Sequence, residues 1–207
     1  LATQDRAPDE IVVVDDASAD ADAVAAVVSV VPGARLVAGE GRGPAAARNR
    51  GASSVTGDVV CFLDDDCAAE PGWVAGLVAG LARSDRGHEV VAGRTVADPP
   101  GDLFAAASQV ITNQLLLDSF AAADGTVTFA PTCNIACRRE VALRFPFDEA
   151  FPLAAGEDRE WCSRLTDAGV AIHYAPAAIV LHRPDLGAQR FLRQQSRYGR
   201  GARHWRT

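Results

Sequence analysis

Residues 61–74 read CFLDDDCAAEPGWV, an apolar run that ends at three consecutive aspartates, Asp64, Asp65 and Asp66, before a proline–glycine turn and a tryptophan. The run begins upstream as DVVCFL at 58–63, with the apolar and β-branched composition of a buried strand. Three adjacent carboxylates repel one another, so the cluster needs a cation or hydrogen-bond donors beside it to keep the fold stable. In parallel α/β sheets, ligands bind outside the carboxyl ends of the strands, and these acids sit at such an end.

Working outward, the same pattern recurs. EIVVVDD at 10–16 is a short β-branched run ending in Asp15 and Asp16, followed by a helix-like stretch from Asp20 to Val31. ARLVA at 34–38 reads as a second strand and GPAAARNRGASSV at 43–55 as a helix entered through glycines. After the aspartates, PGWVAGLVAGLAR has helical spacing with Pro71 in a favourable first-turn position, and HEVVAGRTV returns to strand. Strands alternating with helices up to about Val96 predict an α/β fold with a mostly parallel, mixed sheet flanked by helices. Beyond ADPPGD the pattern loosens: a helix over about Leu103 to Leu117, a small-residue loop, VTFAPTCNIACRREVALRF, and a helix from near Glu157 to Gly169. AIHYAP and AIVLHRP then read as two short strands ahead of an arginine-rich tail.

The chain has 207 residues and 48% apolar residues, enough for one domain with a sizeable core. No apolar stretch approaches the roughly 18 residues of a membrane span. Net charge is −7, yet the segment from Arg183 onward holds seven arginines against the single acid Asp185. The body is therefore strongly acidic, which argues against nucleic acid as a partner. Five scattered cysteines do not form a secreted disulfide framework, and a reducing cytoplasm fits them best. The chain contains no methionine and opens without a signal-peptide pattern, as a piece of a longer protein would. GEGRGP at 39–44 fails as a dinucleotide fingerprint because Pro44 replaces its last glycine and it follows the second strand.

EIVVVDDASAD, GPAAARNRGASSVTGDVVCFLDDDCAAEPGWV and NIACRREVALRFPFDEAFPLAAGEDREWCSRLTDAGVAIHYAP, taken in that order, resemble successive blocks of the family 2 glycosyltransferases, which have the GT-A fold. The resemblance implies an enzyme moving a sugar from a nucleotide-diphosphate donor to an acceptor hydroxyl with inversion. It places Asp15, Asp16 and Arg48 at the donor nucleotide. It implies that Asp64 and Asp66 hold Mg2+ or Mn2+ against the diphosphate, with His182 completing the shell. Glu157 and Asp158 match the family's Glu-Asp pair, with Asp158 the general base. Asn134, with Arg138 or Arg139, matches a block that orders the loop before the acceptor region, and Trp161 and Arg164 are candidates to line the acceptor pocket or to pack.

The same resemblance implies a central first strand that is absent here, since only nine residues precede the EIVVVDD block. Residues 1–182 form the expected GT-A domain and 183–207 a basic helical tail. That tail suits contact with anionic lipid at the inner face of a membrane, bringing the site to a glycan, lipid-linked or small-molecule acceptor. Two other functions remain open at this stage: a non-catalytic nucleotide-sugar-binding module and a sugar nucleotidyltransferase. The second lacks a glycine-rich, lysine-containing loop for a triphosphate.

Overall fold

The computed structural model describes residues 1, 3–83, 89–98, 103–120, 125–151 and 155–205, with side chains described as far as Gly201. In chain order the elements are β1 (Ile11–Asp15), α1 (Ala21–Ser29), β2 (Ala34–Ala38), α2 (Pro44–Ser54), β3 (Val59–Phe62), β4 (Cys67–Ala69), α3 (Trp73–Leu81), β5 (Val90–Ala97) and α4 (Leu103–Leu117). There follow β6 (Thr126–Val127), a 3-10 turn (Thr132–Asn134), β7 (Ile135–Arg138), α5 (Arg139–Arg144), α6 (Glu157–Asp167), β8 (Ile172–His182) and α7 (Ala188–Trp205).

The strands form an α/β arrangement in two sheets. β1 and β2 pair in parallel, and a six-stranded sheet runs β3-β7-β5-β8-β4 with β6 on β8. Strands β3, β5 and β8 share one direction: β7 is antiparallel to both β3 and β5, and β5 pairs in parallel with β8. The opposed β4 and β6 are three and two residues long. Among the described residues no strand joins β1 to β3. The β1–β2 layer is instead tied on by Glu10, whose Oε1 accepts from the Thr56 amide (2.8 Å) and hydroxyl (2.6 Å) and from the Gly57 amide (3.2 Å).

Alternation along β5 explains why both faces of the large sheet are covered. Val90 and Ala92 join a cluster with Phe62, Ile135, Phe147, Trp161 and Leu165 on the α5–α6 side. Val91, one residue out of phase, packs with Trp73, Leu77 and Leu81 of α3 on the other. Each fully buried side chain of this size contributes about 1.5–3 kcal/mol of transfer free energy.

Local departures from the sequence reading have identifiable causes. Pro71 lies before α3, which is capped at Gly72, so the proline sets the turn and is not in the first helical turn. The two strands expected after Ala171 are one, β8, because a bulge takes up Pro176 to Ala178: Gly93 pairs with Ala175 and the next residue, Arg94, with Ile179. The tail helix α7 starts beyond residue 182 and is packed, not free: Phe104 and Phe191 rings lie 5.6 Å apart, and Ser108 Oγ donates to Gln194 Oε1 at 2.8 Å. No described helix is long and apolar enough to cross a membrane.

Candidate active site

The three aspartates follow β3, and the short β4 immediately turns back along the end of β8. That antiparallel register sets Cys67 opposite His182, and the Arg183 amide donates to the Asp66 carbonyl at 2.7 Å. Asp66 Oδ2 and His182 Nε2 are thereby held 3.2 Å apart. The His182 interaction is the main cause of an Asp66 carboxyl held below its ordinary range, against the opposing effect of burial. Ligand atoms of Asp66, Cys67 and His182 lie within 4.8 Å of one another. The carboxylate and imidazole suit a divalent ion such as Mn2+. Cys67 differs: a hydrogen bond with Cys133, then burial, drive its thiol well above the ordinary range, so it stays protonated and is a poor donor to a hard cation.

Asp64, also expected at the metal, goes elsewhere. Its Oδ1 accepts from Arg48 Nη2 at 3.0 Å, while Arg48 Nη1 donates to Glu157 Oε1 at 3.0 Å. Arg48 projects from α2 with only 11% of its side chain exposed and lies over the Phe147 ring, 5.7 Å from its centroid. Burial opposes its charge, but Asp64 and Glu157 outweigh that and raise its pKa. Asp64 is thus neutralised by a guanidinium, Asp66 meets the imidazole of His182, and Asp65 faces solvent.

Glu157 and Asp158 open α6 behind Gly156, whose φ of 100° lies in the left-handed region that favours glycine. Glu157 has both oxygens occupied, one by Arg48 and the other by the Ala155 amide at 2.8 Å, so it is a fixed strut. Asp158 accepts from the Arg159 amide at 2.8 Å. Burial first, and the Glu157 charge second, push its carboxyl up to about 6, against the opposing pull of Arg48. Neighbouring carboxylates in such different environments separate into a structural anion and a titrating base.

At the end of β1 the two acids also divide. Asp16 uses both oxygens to gather the amides of Glu40, Gly41, Arg42 and Gly43 at 2.6–3.3 Å, which shapes the loop into α2. Asp15 Oδ1 accepts from the Ser18 amide at 2.8 Å, and Ala17 between them takes a left-handed φ of 68°. Asp16 is therefore a loop organiser, while Asp15 braces the turn at Ser18.

Asn134, considered for ordering the loop before the acceptor region, and Trp161 and Arg164, considered for lining the acceptor pocket or packing, are each held by contacts within the protein. Asn134 is fully buried, accepts from Trp73 Nε1 at 2.8 Å and donates to the Ala178 carbonyl at 3.2 Å, clamping the β8 bulge to α3. Trp161 is fully buried, stacks on Phe147 at 4.7 Å and donates to the Phe145 carbonyl at 2.6 Å. Arg164 is held by Glu160 at 2.7 Å and by the Pro146 carbonyl at 2.7 Å. Of the flanking arginines, Arg139 donates through Nε to the Val55 carbonyl at 2.8 Å.

Gln109 on α4 contacts His182 Nδ1 at 2.7 Å and was not singled out by the sequence, since a glutamine inside a helix carries no signal of its own. Tyr198 of α7 was also missed as a site residue. Its hydroxyl is pushed up to about 12, chiefly by burial and then by the charges of Asp158, Glu157, Cys133 and Asp66. Gly201, three residues on, packs against the backbone of Ala155 and Gly156 at the entrance to α6. A cavity of about 360 Å³ lies on the far face of α2 from Arg48, lined by Asp16, Arg42, Asn49, Arg50 and Glu149; it reaches Asp16 but not Asp66, His182, Glu157 or Asp158.

Residues 1–144 match the family model for Glycosyl transferase family 2. The chain is 33% identical over 166 residues to the pre-mycofactocin glycosyltransferase of Mycobacterium tuberculosis, covering 78% of this chain and 34% of that protein. It is 30% identical over 168 residues to glycosyltransferase AglE of Haloferax volcanii, covering 80% and 52% respectively. It therefore spans between about a third and a half of the length of these curated relatives. Glucosyl-3-phosphoglycerate synthase of Mycobacterium tuberculosis, solved with Mn2+, UDP and glucosyl-3-phosphoglycerate, superposes with a TM-score of 0.61 at 22% identity, over 93% of this chain and 65% of that one. The fold is GT-A, and the chain belongs to glycosyl transferase family 2.

Proposed function

We propose that the chain is the catalytic core of an inverting glycosyltransferase that uses Mg2+ or Mn2+ to move a sugar from a nucleotide-diphosphate donor to an acceptor hydroxyl. The observation that carries this reading is one continuous cluster: Asp66 meets His182, and two residues earlier Asp64 is joined through Arg48 to Glu157, beside an Asp158 whose carboxyl titrates near 6. The synthase solved with Mn2+ and UDP supports a metal and a nucleotide on this fold.

In this mechanism Asp158 accepts the acceptor's hydroxyl proton as that oxygen bonds to the anomeric carbon and the diphosphate leaves from the opposite face. Raised only to about 6, its pKa still leaves it largely ionised at neutral pH while making it a stronger base than a solvated aspartate. Arg48 holds Asp64 and Glu157 in place, so the base and the diphosphate side keep a fixed relation. Asp15 is the proposed contact for the donor base. A divalent ion held by Asp66 and His182 would neutralise charge on the leaving diphosphate.

Calorimetric titration with UDP-, GDP- and dTDP-sugars, with and without Mn2+, tests the donor site. The expected result is metal-dependent binding of one donor, lost in Asp66→Asn. Binding without turnover in the wild-type chain, over a panel of acceptors, would favour the alternative of a non-catalytic nucleotide-sugar-binding module.

A second proposal concerns location, at the cytoplasmic face of a membrane. Arg190, Arg193, Arg197 and Arg200 are exposed on α7, and the adjoining α4, without a charged residue in its 15, exposes Leu103 (76%), Val110 (67%) and Leu117 (60%). Apolar side chains beside arginines match the chemistry of an anionic lipid surface. Co-sedimentation with vesicles should rise with phosphatidylglycerol content; equal, weak binding to neutral and anionic vesicles would remove this part of the proposal.

A further inference from the structure

The Asp66–His182 contact raises a question of proton placement. Gln109 is 3% exposed on α4, and its Oε1 lies 2.7 Å from His182 Nδ1. Its own Nε2 donates to Asn113 Oδ1, one helical turn on, at 2.9 Å. With the amide turned this way, the atom facing His182 is an oxygen, which can only accept. His182 Nδ1 must then carry hydrogen, which leaves Nε2 as the nitrogen free to bind a cation. Nε2 faces Asp66 Oδ2 at 3.2 Å, close enough to donate to it when the ring carries a second proton. A divalent ion that displaces that proton meets an imidazole nitrogen and a carboxylate already turned toward one another.

From this arrangement we infer that Gln109 is a positioning residue for the metal site, fixing His182 in the Nδ1–H tautomer so that Nε2 and Asp66 together form a receptor for a divalent cation. The inference rests on the metal-dependent reading above and adds a residue to it. A metal-binding histidine generally donates its other ring N–H to a neighbouring acceptor, which fixes ring orientation and raises basicity at the ligating nitrogen. Here the acceptor comes from α4, an element distant in sequence from both ligands. The buried amide is aligned in turn by Asn113, so the chain Asn113–Gln109–His182–Asp66 runs from α4 to the end of β3.

The test compares Gln109→Met, which keeps length and volume but removes the acceptor, with Gln109→Glu, which can only accept. Mn2+ affinity is read without donor by electron paramagnetic resonance of the free ion, with Asp66→Asn as control. Gln109→Met should weaken Mn2+ binding by roughly 10- to 100-fold, the usual effect of losing such a partner. Gln109→Glu should retain or exceed wild-type affinity. Nitrogen-15 spectra of wild-type His182, identified by its loss in His182→Gln, should show Nδ1 protonated, and this decides the matter even where Gln109→Met fails to fold. A ring protonated at Nε2 alone, or equal affinity in wild type and Gln109→Met, overturns the role of Gln109 while leaving an Asp66-dependent metal site standing. Absence of Mn2+ binding by the wild type, with and without nucleotide, overturns both.

Discussion

Asp158→Asn should abolish turnover and make the protein more stable. Two effects on the carboxylate compete. Its place in the first turn of α6 favours negative charge by about 0.3–1 kcal/mol through the helix dipole. Burial and the neighbouring Glu157 charge disfavour it, lifting the pKa from 3.8 to about 6. At about 1.36 kcal/mol per pKa unit the net of these effects costs about 3 kcal/mol whenever the group is ionised. Between these two pKa values the folded chain binds more protons than the unfolded chain, so stability falls as pH rises through the window. An asparagine has no charge to desolvate. Denaturant unfolding should therefore show the variant about 3 kcal/mol more stable at pH 8, with the gain shrinking steadily on acidification and gone below about pH 4. Turnover should drop by about 10²–10⁴-fold, and wild-type rate should rise with pH across about 6 as the base deprotonates. Donor affinity should persist. A variant no more stable than wild type at pH 8, or a gain independent of pH, would refute the idea that Asp158 is held ionised at a cost.

Arg48→Met should destabilise by about 3–5 kcal/mol in denaturant unfolding, because it leaves the buried Glu157 and the half-buried Asp64 without their shared cation; Arg48→Lys should rescue little, since a single ammonium cannot reproduce the two-armed bridge. Asn134→Ala should cost about 1–3 kcal/mol for each of the two buried partners it orphans, Trp73 Nε1 and the Ala178 carbonyl, and protease susceptibility should rise in the β8 bulge. Gly93→Ala should be as damaging, measured by thermal melting, because a Cβ there would overlap the Ala178 carbonyl oxygen and the Asn134 side chain.

Much of this site was legible because the chemistry sits at strand ends. DVVCFL and EIVVVDD declared their strands by composition, and the acids after them pointed to the crevice. The sequence could not show how the acids divide. Asp15 and Asp16 look equivalent on paper, yet one spends both oxygens on four loop amides. Asp64 and Asp66 look like one chelating pair, yet Arg48, 16 residues away, takes the first, and His182, 116 residues away, meets the second. Trp161 and Arg164 were legible as lining an acceptor pocket or as packing, and only the structure shows how each is held: helical phase turns Trp161 into the core against Phe147, and Glu160 claims Arg164.

The element that was missed matters most for the geometry. Cys67–Ala69 is too short and too small in its side chains to declare itself a strand, and its pairing depends entirely on β8 being present alongside. Without that ladder Asp66 would end a loose turn, with nothing to hold it against His182. A tripeptide of low strand propensity therefore sets the distance on which the proposed metal site depends. Substituting Ala68 by proline tests this dependence: it removes a backbone donor and restricts the backbone between Asp66 and its anchor. Mn2+ affinity should fall far more than global stability, because three short ladder positions are lost at an edge while the core packing on β5 and β7 is untouched. Equal loss of both would mean that the β4 turn is part of the folding core and not a dedicated support for the site.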